Sequence, residues 1–64
     1  MMVQAIADAL EKFRDSRHPT DYAVLERAVR AWLDALQRKV EDVGGAVDVA
    51  RKLLEGTERE VRWP

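Results

Sequence analysis

Between Thr20 and Val43 the chain carries neither glycine nor proline, and apolar residues recur at Tyr22, Leu25, Val29, Trp32, Leu36 and Val43. Steps of three and four residues keep these side chains on one side of an α-helix and write a heptad seam. Lys39 interrupts the seam between Leu36 and Val43, with Val40 beside it in the apolar role. Ala28, Leu33 and Val40 broaden the apolar face beyond a simple two-stranded seam. Thr20 is the expected N-cap, Asp21 supplies negative charge where the helix dipole favours it, and Gly44 is the expected stop. A helix over residues 20–43 is roughly 36 Å long at about 1.5 Å per residue.

The flanking segments read as shorter helices. Val3, Ile6, Leu10 and Phe13 form a stripe at 3-4-3 spacing over residues 2–16, widened by Met2 and Ala9, with Asp8 and Lys12 as an i,i+4 pair on the outer face. Pro19 disfavours helical geometry at His18, so this helix ends before it. Val47, Ala50, Leu53 and Leu54 mark a third helix over residues 46–55, with Val49 off to one side and Gly56 as its end. In residues 57–64, Val61 and Trp63 alternate with charges, as in an extended tail. The fold class is therefore all-α: one helical domain over residues 1–64 with a short, a long and a short helix and an extended C-terminal tail. The outer helices, roughly 22 and 15 Å long, together match the central one. They are expected to stack end to end along it, with a conventional three-helix bundle as the other option.

Two short helices cannot cover so long an apolar face, and a chain of 64 residues buries a smaller share of its surface than a larger domain does. The expected remedy is a second copy, giving a homodimer or higher homo-oligomer held by a coiled-coil-like pairing of the central helices. Tyr22, Leu25, Val29, Trp32, Leu33, Leu36 and Val40 are the candidate self-association residues. Val61, Arg62 and Trp63 have two readings. They dock on the core, or they present an anchor to a protein partner, since Trp and Arg are frequent interface hot spots.

Composition removes most catalytic chemistry. There is no cysteine, and His18 is the single histidine, so a transition-metal site would have to be built from scattered carboxylates. Ser16 is the only serine and has no placeable partner for a nucleophilic triad. Gly44-Gly45 is followed by Ala46 and Val47, without the Lys-Ser/Thr of a phosphate loop. No cofactor, metal or small-molecule substrate is expected, and the chain is not expected to be an enzyme. No apolar run approaches the roughly 20 residues that cross a bilayer, and the N-terminal residues do not read as a secretory signal. A cytoplasmic, membrane-free protein is the expectation.

Eleven Lys and Arg against twelve Asp and Glu leave a net charge of -1, without the basic excess of a dedicated nucleic-acid binder. Arg27, Arg30 and Arg38 share a side of the central helix, but Glu26 and Asp34 stand four residues before Arg30 and Arg38, the pattern of a self-paired solvated face. The segment Gly44-Gly45-Ala46-Val47-Asp48-Val49-Ala50-Arg51-Lys52-Leu53-Leu54 resembles the opening of a helix-turn-helix of the Fis-like type. That resemblance implies a turn at Gly56 and a recognition helix after it. Only eight residues follow Gly56, and Glu58 and Glu60 among them would be repelled by phosphates, so the family is not assigned.

The function expected from the sequence is a non-catalytic, homo-oligomeric protein–protein interaction module: an adaptor, inhibitor, or assembly or regulatory factor. One alternative is a small DNA-binding regulator with Arg51, Lys52, Arg59 and Arg62 on phosphates. Another is an accessory helical subunit of a larger enzyme.

Overall fold

The structure is a computed structural model that describes residues 2–63, with the backbone alone at Met2 and Val3, so the place of these two side chains on the first stripe lies outside the described residues. The chain folds into three helices, α1 (Met2–Ser16), α2 (Pro19–Gln37) and α3 (Gly44–Arg59). The all-α class holds, but the short-long-short pattern does not: the helices have 15, 19 and 16 residues.

Helix α1 ends where the proline requires. Arg17 adopts φ 53°, the left-handed conformation of a residue just past a helix end, and its N–H donates to the Phe13 carbonyl. The next helix begins at once, and its cap is His18 rather than Thr20. A residue before proline is pushed to extended geometry, and His18 has φ -79° and ψ 140°. An N-cap needs that conformation, and Nδ1 of His18 accepts the N–H of Thr20 at 3.1 Å. Pro19 occupies the first turn, where its missing N–H costs nothing. Ser16 braces the corner from both sides, accepting the His18 N–H at 3.1 Å and donating its hydroxyl to the Asp21 carboxylate.

Helix α2 stops at Gln37, six residues short of Val43. The N–H groups of Lys39 and Val40 both turn back to the Leu36 carbonyl at 3.0 Å. Residues 38–43 then form the connection to α3, within the usual two to about eight residues that join packed helices. Had α2 continued to Val43, a pair of glycines would have been left to reverse the chain. The seam is also weakest here, because Arg38, Lys39, Glu41 and Asp42 offer a core little to bury.

Helix α3 starts earlier and ends later than its apolar pattern indicates. Asp42 Oδ1 accepts the Gly44 N–H at 3.1 Å, so the helix begins on Gly44. Gly56 does not end it: no glycine has positive φ, and the turn around Gly56 is tied by the Thr57 hydroxyl, which donates to the Leu53 carbonyl at 2.6 Å. Only residues 60–63 remain as a tail. Val61 is buried, and the Arg62 N–H donates to the Arg17 carbonyl at 2.9 Å.

This bond places the end of α3 at the α1–α2 corner, so α3 runs back along α2 beside α1. The outer helices do not stack end to end. Each packs on α2; no described Cα of α1 comes within 8 Å of one of α3, and the two outer helices contribute Ala9 and Ala50 to one shared core. Ala9, Leu25, Val29 and Ala50 form the buried cluster, and Phe13, also fully buried, sits near the corner against Tyr22. The Cα trace measures 40 × 21 × 13 Å, with a radius of gyration of 12.1 Å. A compact domain of this length has about 11 Å.

Two consequences are measurable. A Cβ on Gly56 meets nothing within 4 Å. Gly56→Ala is therefore expected to raise unfolding stability by about 0.5–1 kcal/mol in urea titration, through lower unfolded-state entropy and better helix propensity. His18→Ala removes the cap acceptor and is expected to cost about 1 kcal/mol, whereas His18→Asn, which can accept the same bond, should stay close to the parent.

Candidate interaction surface

The gap between α1 and α3 is the candidate site. Its floor is Val29 and Trp32 of α2, one wall is Ile6 of α1, and the other is Val49, Ala50 and Leu53 of α3. The recess holds about 200 Å³ and presents only apolar side chains. Sites for small organic ligands typically run about 300–1,000 Å³ and place a few polar groups to orient the guest. This recess has the size and chemistry for one or two inserted side chains.

The seven residues expected to mediate self-association are divided by the fold. Leu25 and Val29 are fully buried within the chain, so Leu25 is spent on its own core and Val29 offers only the floor of the recess. Tyr22 is half-buried near the corner, its ring edge-on to Phe13 with centroids 6.1 Å apart and planes at 62°, and its hydroxyl donates to the Leu54 carbonyl at 3.4 Å. Trp32 and Leu33 pack against the core cluster while remaining partly open. Leu36 is half-buried at the last turn of α2, and Val40 is exposed in the connection. Of this set, the structure brings Val29 and Trp32 together in the recess.

Four lining residues were not among the candidates. Ile6, Ala50 and Leu53 belong to the outer-helix stripes and so read as core. Val49 is the informative one. It lies off the α3 stripe and is 64% exposed on the rim. An apolar side chain beside an amphipathic stripe was the available signal. The tail trio is also split: Val61 is docked, Arg62 is held by its backbone, and Trp63 is 62% exposed.

No charged side chain lines the recess, and several charged residues pair along their own helices. Arg30 meets Glu26 at 3.7 Å and Arg38 meets Asp34 at 3.1 Å, as the spacing predicts, while Asp8 accepts the Gln4 amide at 2.9 Å. Arg51 and Lys52, two of the residues assigned to phosphates in the DNA-binding alternative, share the Asp48 carboxylate at 2.8 and 3.2 Å. Hydrogen bonds from Lys52 and then Arg51 hold the Asp48 carboxyl below its ordinary range. Among the described residues, no group of three or more His, Asp or Glu is placed to hold a metal ion, and no helix is long and apolar enough to cross a membrane.

Burial, followed by the nearby charges of Glu58 and Glu26, pushes the Tyr22 phenol above its ordinary value, with Arg30 opposing. A folded-state pKa raised above the unfolded one contributes stability that is complete below the unfolded value of about 10 and is lost as pH rises through the folded value. Tyr22 is the only tyrosine, so phenolate absorbance should titrate at higher pH in the folded chain than in denaturant. Tyr22→Phe should flatten the alkaline limb of the stability curve.

Compared with known proteins, the chain matches no family model, no curated protein and no solved structure.

Proposed function

We propose that this chain is a non-catalytic protein–protein interaction module whose working surface is the recess between α1 and α3. The carrying observation is an apolar hollow floored by a partly open tryptophan and framed by all three helices. Aromatic side chains in such settings are the usual centres of protein interfaces. The size of the hollow favours a side chain as guest, and no charged side chain lines it. This differs from the sequence expectation in one respect: the binding element is a seam between helices, not one face of the long central helix.

A photo-crosslinking residue installed at position 49, and separately at the exposed Val24 of α2, checks this in the source cells. A discrete protein adduct is expected from position 49 and none from position 24. Equal labelling at both positions, or no adduct at position 49, would contradict the reading.

A further inference from the structure

We infer that the occupant of the recess is a second copy of this chain, related to the first by a two-fold axis passing beside Val49. The inference rests on the interaction reading above and adds the identity of the partner.

The first support is area. A monomer of this mass exposes about 4,200 Å² of accessible surface. This chain exposes 4894 Å². The excess, about 700 Å², is close to the roughly 800 Å² that each partner contributes to a standard stable interface. It comes with the flat, extended shape, in which α1 and α3 flank α2 without closing on each other. That excess belongs to the chain as a whole; a second copy that covered a comparable area on and around the recess would bring the surface per chain down to the value for a compact protein.

The second support is shape. An isologous interface uses the same patch on both copies, so that patch must contain both a projection and the recess that receives it. Here Val49 projects from the α3 rim of the hollow that Trp32 and Ile6 line. Rotation about an axis beside Val49 brings each copy's valine over the other's recess. A recess of about 200 Å³ has room for such a side chain.

The third support is charge. No ionisable side chain lines the recess, so pairing strips water from no charge there. The net charge of -1 gives two copies almost no mutual repulsion to overcome.

Sedimentation equilibrium of the purified full chain, from low micromolar to several hundred micromolar, tests this. A dimer is expected, with a melting temperature that rises with concentration. Val49→Glu would bury an unpaired carboxylate at the axis and should raise the dissociation constant about a hundredfold or more. In the single chain, glutamate suits an exposed helical position better than valine, so helicity should persist. Val24→Glu, on an exposed site outside the recess, should leave the dimer unchanged. A wild-type chain that sediments as a monomer throughout, or a Val49→Glu variant that dimerises like the wild type, would overturn the inference. In the cross-linking experiment, an adduct of twice the chain mass agrees with it. An adduct to a different protein would refute the second copy and leave the interaction reading standing. No adduct at position 49 would remove both.

Discussion

The burial of Leu25 and Val29 on α2 is the contact on which the rest of the molecule depends. Both are sealed from water, and they are covered from two directions, by α1 and by α3. Both outer helices bring their backbones close to α2 and not to each other, so α2 is the element through which they are mainly held in register. A chain of three comparable helices has the option of a closed bundle, in which each pair shares a seam. Here the backbones of α1 and α3 stay apart, and the recess lies between them beside the cluster that Ala9 and Ala50 share. The open surface and the flat shape thus have a common origin.

The register of α3 is set mainly at its far end. At the near end a loop of six residues permits many approaches. At the other, the Arg17–Arg62 backbone bond and the buried Val61 fix where the helix must finish. The receiving carbonyl belongs to Arg17, the one residue with left-handed backbone geometry among the described residues. That geometry follows from the sequence: α1 must end before Pro19, and α2 must start on it. The proline therefore constrains the first corner directly and the third helix indirectly, through the carbonyl that the corner turns outward. Phe13, Tyr22 and Val61 gather at this end of the molecule, and the opposite end, around residues 38–43, has no comparable closure.

The sequence showed much of this fold, and its failures are instructive. Helix α1 was legible to its last residue because an apolar stripe and a proline agree there. The end of α2 was not, because Val40 and Val43 extend the apolar rhythm past the point where the backbone has to turn. Periodicity reports which face is apolar. It does not report whether the chain has already reached the length its neighbours can cover. Gly56 misled for a related reason. Glycine lowers helix propensity by about 1 kcal/mol, which one turn of packing and the Thr57–Leu53 bond can offset. The interaction surface was the least legible feature. The strongest apolar run predicts an open seam on α2, yet Leu25 and Val29 at its middle are what the chain buries for itself. The residue left on the rim, Val49, stands beside a stripe and not in it.

An open seam at Trp32 could be closed within one chain by larger side chains in place of Ala50 or by a steeper approach of α3. The small Ala50 instead keeps the α3 wall low beside the tryptophan, so Trp32 on the floor of the recess stays partly open. Accessible apolar surface lowers the stability of a lone chain, because burial of carbon surface is its main favourable term and a chain this small has little surplus. The arrangement becomes favourable once something fills the hollow, since the same surface then contributes to both folding and association. A recess lined only by carbon discriminates by shape and not by hydrogen-bond pattern, so its specificity depends on the match between rim and guest. With Val49 as the projecting part of that rim, a matching surface is already encoded in the chain itself.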